Sequence, residues 1–134
     1  MGTTKPFGRK VLVVDDDEDV REVTRTALEL DGHTVLSAAN GRDALALVDA
    51  HPDIALLFTD IVMPGAIDGF DLAERAKRKR PRLHVIYTSG YFHDEGVCDG
   101  LLLKKPWTPE DLKSALGEFA AKRNPKLAAR RARA

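Results

Sequence analysis

VLVVDD at residues 11–16, ALLFTD at residues 55–60 and LLLKKP at residues 101–106 have one plan in common: an apolar, β-prone run that ends on charge. Parallel strands of an α/β sheet present their carboxyl ends along one edge. Asp15, Asp16, Asp60 and Lys105 should therefore converge in a single pocket.

Working outward, short apolar runs alternate with amphipathic segments five times, the pattern of βαβ units rather than of hairpins. Strands are expected over about Lys10–Asp15, His33–Ala39, Ile54–Asp60, Leu83–Thr88 and Leu101–Lys104. A helix over Glu18–Leu30 would bury Val20, Val23, Ala27 and Leu30, with Asp31-Gly32 as its stop. Asn40-Gly41 leads into a helix to Ala50, since Ala44, Leu45 and Val48 fit that spacing. Met63-Pro64-Gly65 forces a loop before a helix over Gly69–Lys79, with Phe70, Leu72, Ala73 and Ala76 inward. Thr108-Pro109-Glu110 opens a last helix to about Lys122, a capping residue with proline at the first helical position. Between the fourth and fifth strands stand only residues 90–100, with three glycines, so a crossover helix there is expected to be short or absent.

The chain has 134 residues, enough for one domain that buries roughly two thirds of the surface its unfolded form exposes. No apolar run approaches the roughly 20 residues of a membrane span, and MGTTKPFGRK lacks the apolar centre of a secretory signal. A cytoplasmic location is expected by default, and the single Cys98 agrees with it. The net charge of zero conceals asymmetry: of 21 basic residues, six lie from Lys122 onward with no acid, leaving 15 against 21 acidic. The reading divides the chain into an extension (1–9), a folded domain (10–122) and a basic tail (123–134). Clustered arginines attract phosphate, but a terminal extension or linker explains the same residues, and no nucleic-acid partner is expected.

Two carboxylates about 4 Å apart repel by about 4 kcal/mol at an effective dielectric of 20, so the acidic cluster calls for a cation. Oxygen ligands without histidine or cysteine favour Mg2+ or Mn2+. A carboxylate beside such an ion and a lysine is equipped to accept a phosphoryl group as an acyl phosphate. Asp60, alone at its strand end, is the expected nucleophile. Lys105 would pair with a phosphoryl oxygen, with a cis Lys105–Pro106 peptide behind it. His33, His51, His84 and His93 show no metal spacing and read as surface or strand-end residues.

The acidic pair after VLVV, TDIVMPG around Asp60, TSG at 88–90 and KPW at 105–107 together resemble the receiver domain of two-component response regulators, over about Lys10 to Lys122. The resemblance implies a flavodoxin-like, doubly wound α/β fold with five parallel strands ordered 2-1-3-4-5. It implies that Asp60 accepts phosphate from a phosphohistidine on a sensor histidine kinase or a histidine phosphotransfer protein. It further implies that Asp16, Asp15, Asp60 and the Val62 backbone carbonyl hold the metal, and that Ser89, with Thr88 adjacent, is the hydroxyl that moves toward the phosphoryl group. A homodimer stays open.

Two departures stand out. Leu102 occupies a position, three before the lysine, where the family usually has an aromatic residue. The abbreviated 90–100 segment points to a subgroup found alone or attached to sensor kinases. Val62 and Tyr91 are expected to shield the acyl phosphate from water, so that Val62→Asn with Tyr91→Glu accelerates its decay. Val20 and Trp107 are candidates for an apolar partner contact, with packing of Trp107 on the last helix as the other reading. The competing functions are a constitutive pseudo-receiver binding module, against which the retained acids and lysine argue, and an aspartate-nucleophile phosphatase. Such phosphatases place a second aspartate where Val62 stands. The chain is therefore expected to be a phosphoacceptor rather than an enzyme with turnover.

Overall fold

A computed structural model describes residues 9–90 and 101–123. The elements run β1 (Lys10–Val14), α1 (Glu18–Leu30), β2 (Thr34–Ala38), α2 (Gly41–Ala50), β3 (Ile54–Asp60), α3 (Gly69–Lys79), β4 (His84–Ser89), β5 (Leu101–Lys104) and α4 (Pro109–Arg123). All pairings are parallel, in the order β2-β1-β3-β4-β5. The doubly wound five-stranded sheet is thus present as the sequence implies. The expected short or absent helix between β4 and β5 falls on residues 91–100, outside the described residues, as do Tyr91, His93 and Cys98.

Strand alternation sorts the core into two layers. Leu12, Val14, Leu57, Val85 and Tyr87 face α2 and α3, meeting Ala44, Val48, Leu72, Ala73 and Ala76. Val11, Val13, Leu56, Phe58 and Ile86 face α1 and α4, meeting Leu28, Leu112 and Leu116. Polar caps fix where the helices begin. Asp17 accepts from the Asp19 and Val20 amides, Asn40 from Asp43 and Asp68 from Asp71, each satisfying amide donors that a helix start leaves open. At α4 the Thr108 hydroxyl accepts from the Asp111 amide while the Asp111 carboxylate accepts from the Thr108 amide, a reciprocal cap.

The expected buried stripe of α1 needs correcting. Val23 and Leu30 are 63% and 78% exposed, and the buried positions are Thr24 and Leu28. Thr24 tolerates burial because its hydroxyl donates to the Val20 carbonyl at 2.7 Å. With that polar atom satisfied, the helix turns so that 24 and 28 face the sheet and 23 and 30 face outward. His33 is a strand-end residue, as one of the two expected readings had it: it stands just before β2, it is buried, and its Nδ1 accepts from the Arg9 amide at 3.0 Å.

Candidate functional site

β1 and β3 are neighbours at the centre of the sheet, so their carboxyl ends deliver Asp15 and Asp60 side by side. β5 delivers Lys105 from the far side of β4. The Lys105 ammonium lies 2.8 Å from Asp15 Oδ2 and 3.2 Å from Asp60 Oδ2, joining residues 90 and 45 positions away in sequence. Asp15 and Asp60 are buried, whereas Asp16 is exposed at the rim. The Asp17 amide donates to Asp15 Oδ1 at 2.9 Å, which orients that carboxylate. Lys105–Pro106 is cis, as expected from the sequence.

The electrostatics follow from crowding. Burial pushes the Asp60 carboxyl above its ordinary value; Lys105 pulls it back, and the charges of Asp15 and Asp16 push the same way as burial. Burial acts on Lys105 in the opposite sense for its charge, but the hydrogen bond to Asp15 and the charges of Asp60 and Asp15 outweigh it. Its net shift is upward, and the ammonium form is secure. One oxygen from each of Asp15, Asp16 and Asp60 lies within 4.8 Å of the others. Three carboxylates against one ammonium leave a negative surplus, and a hard oxygen donor set of this kind fits a small divalent cation.

Strand phase places the two adjacent hydroxyls of β4 on opposite faces. Asp60 is paired in register with Thr88, and Phe58, Asp60, Ile86 and Thr88 fall on the α1/α4 face by alternation. Ser89 falls on the opposite face, the one to which Tyr87 contributes. The Thr88 hydroxyl is buried and has no hydrogen-bond partner among the described residues. Sequence shows two adjacent hydroxyls but not the phase of the strand; the signal that separates them is the even spacing from Phe58 to Asp60 and from Ile86 to Thr88.

Beside the carboxylates opens a cleft of about 830 Å3, lined by Asp16, Val20, Val23, Val62, Lys105 and Trp107 among others. Val62 is 57% exposed there. Trp107 stands edge-on to Phe58, with ring centres 6.0 Å apart. Its packing is thus on β3 as well as in the cleft wall. Leu102, the position lacking the aromatic ring, is half-buried against the α2/α3 layer.

A parallel sheet with three acids and a lysine at its carboxyl edge defines a class, and comparison with known proteins agrees. Residues 11–117 match the response regulator receiver domain, and the chain belongs to that family. It is 30% identical over 108 residues to the response regulator SaeR of Staphylococcus aureus, an overlap of 76% of this chain and 46% of that protein. The chain spans about half the length of the curated relatives it matches. A response regulator receiver domain protein from Clostridium thermocellum superposes with a TM-score of 0.77 at 28% identity, covering 89% of this chain and 98% of that one. The response regulator TrrA of Thermotoga maritima, solved in complex with Mg2+–BeF, gives 0.71 at 28% identity over 79% and 94% of the two chains.

Proposed function

We propose that Asp60 is the phosphoacceptor of a two-component relay, taking its phosphoryl group from a phosphohistidine on a sensor histidine kinase or a histidine phosphotransfer protein. The observation that carries this reading is the Lys105 ammonium held between two buried carboxylates at the floor of an open cleft. An Asp60 carboxylate oxygen attacks phosphorus, the P–N bond to the donor imidazole breaks, and its electron pair stays on the imidazole nitrogen, which takes up a proton. Lys105 keeps Asp60 ionised despite burial and faces the negative charge on the transferring oxygens.

Asp15, Asp16, Asp60 and the Val62 carbonyl are the groups we assign to Mg2+ or Mn2+. When bound, the ion supplies further positive charge against the phosphoryl oxygens. Thr88, in place of Ser89, donates its unpartnered hydroxyl to the new phosphoryl group, a charge-assisted bond available only in the phosphorylated state. Leu102 packs on the opposite face of the sheet from Thr88 and has no ring to swing, so it takes no part in that movement. Val20, Val23 and Trp107 offer the apolar wall against which the histidine-bearing partner docks.

The reaction stops at one phosphoryl group per chain followed by slow hydrolysis, and Val62, in place of an acid, supports this over phosphatase turnover. No helix among the described residues is long and apolar enough to cross a membrane, and we place the domain (10–122), with its extension and tail, in the cytoplasm. Incubation with Mg2+ and acetyl phosphate should add the mass of one phosphoryl group to the wild type and none to Asp60→Asn. Equal uptake by the two proteins, or none by either, overturns the assignment.

A further inference from the structure

The edge of the sheet opposite the acidic site carries a second charged surface. Residues 75–82, RAKRKRPR, hold six Lys or Arg and no acid. They form the end of α3 and the turn into β4. Part of this charge has a structural duty, because Lys77, Arg78 and Lys79 stand in the last turn of α3, where cations offset the helix dipole. Glu74 pairs with Arg78 at 3.2 Å, and Asp49 pairs with Lys79 at 2.6 Å. Those duties do not reach the rest. Arg75 and Arg82 are exposed and make no ion pair among the described residues.

Among the described residues, Arg80 is bonded only to neutral groups. It donates to the Lys79 and Val48 carbonyls at 3.1 and 3.2 Å, and its Nε is buried without an acceptor. Between the entry to β3 and this turn lies a notch of about 450 Å3 with Lys79, Arg80 and Arg82 on its wall. The acid facing it, Asp53, is already paired with Lys10 at 2.7 Å. The notch therefore has positive charge that its own carboxylate does not balance.

Because the strands are parallel, this edge lies about 20 Å from Asp60, the length of a seven-residue strand. α4 starts beside the acidic edge and runs back along the sheet to Arg123. The described residues thus place the acidic cluster at one edge of the sheet and the cations of 75–82 at the other.

We propose that this basic edge binds the phosphodiester backbone of a nucleic acid without reading its sequence. Four of the six cations in 75–82 are arginines, whose planar forks pair with two phosphate oxygens at once. Durable attachment to a bilayer combines charge with an apolar face, and the apolar residues of α3 are turned to the core, Leu72, Ala73 and Ala76 buried and Phe70 half-buried against it. The inference is independent of the phosphoacceptor assignment, since it uses none of the same residues.

The test is titration of the full chain against a short fluorescent duplex of random sequence, read by anisotropy over a range of salt. Four phosphate contacts predict about a tenfold loss of affinity for each doubling of salt. Arg75→Glu with Arg82→Glu should lower the salt slope by about 2 while leaving acetyl phosphate uptake at Asp60 unchanged, which shows that the variant is folded. Arg130→Gln, Arg131→Gln and Arg133→Gln together should leave duplex binding that still responds to the α3 substitutions. Absence of duplex binding at low salt overturns the proposal, as does wild-type affinity in the Arg75/Arg82 variant. Binding to phosphatidylserine–phosphatidylcholine vesicles with none to the duplex overturns it as well, in favour of a membrane surface.

Discussion

Asp60 is held where its ionised form is unfavourable: in a buried setting, beside two other carboxylates, with one ammonium for relief. A carboxyl whose folded-state pKa is raised destabilises the fold at every pH above that value, and the penalty vanishes below the unfolded pKa of about 3.9. Asp60→Asn should therefore stabilise the metal-free protein at neutral pH by about 1 kcal/mol. Denaturant melts should show the gap closing as pH falls through the raised pKa toward 4. Thr88 is held in a comparable way, with a buried hydroxyl that bonds nothing among the described residues. Thr88→Val should stabilise the unphosphorylated protein by about 1 kcal/mol by removing an unsatisfied polar atom. It should also abolish the phosphorylation-linked change in hydrogen exchange at β5, whereas Ser89→Ala should leave that change in place. Thr88 and Ser89 are indistinguishable as letters in a row; the difference is which face of β4 each occupies.

At the scale of elements, the turn from β3 into α3 holds the phosphoacceptor in position through one residue without a side chain. The Gly69 amide donates to the Ile61 carbonyl at 2.8 Å. A Cβ at Gly69 would collide with the Asp60 carbonyl oxygen and lie 2.7 Å from Ile61 Cα, both backbone atoms that cannot rotate away. Gly69→Ala should destabilise by about 1–3 kcal/mol and, even where folded, slow acetyl phosphate uptake, because relief of the clash displaces Asp60; mass spectrometry and thermal melts check the two halves. Most element boundaries were legible: the spans of α1, β3, α3 and β5 agree with the expected ones, since turn residues and caps act locally. The facing of α1 was not legible. Val20, Val23, Ala27 and Leu30 make an apolar stripe on paper, yet the sheet receives Thr24 and Leu28, because a threonine that bonds its own helix backbone counts as apolar once packed.

Over the whole molecule, the fold sets two edges of opposite sign at the two ends of one sheet. Mg2+ that binds only the folded acidic edge should raise stability by about 2.7 kcal/mol at one hundred times its dissociation constant. The gain should shrink on acidification at a higher pH than ordinary carboxylates would require, because Asp60 takes up its proton early and a protonated ligand releases the ion. Thermal melts with and without Mg2+ across the acid range measure this. By itself the sequence determined the parallel α/β class, the strand ends and the acids and lysine that meet there: apolar runs closed by charge are local, and a parallel sheet brings such ends together whatever the details. Only the tertiary structure decided the face on which Thr88 and Ser89 lie, the exposure of Val23 and Leu30, and the gathering of Lys79, Arg80 and Arg82 around a notch. Those depend on strand phase, helix rotation and the return path of each crossover, which are set by packing between segments remote in the chain.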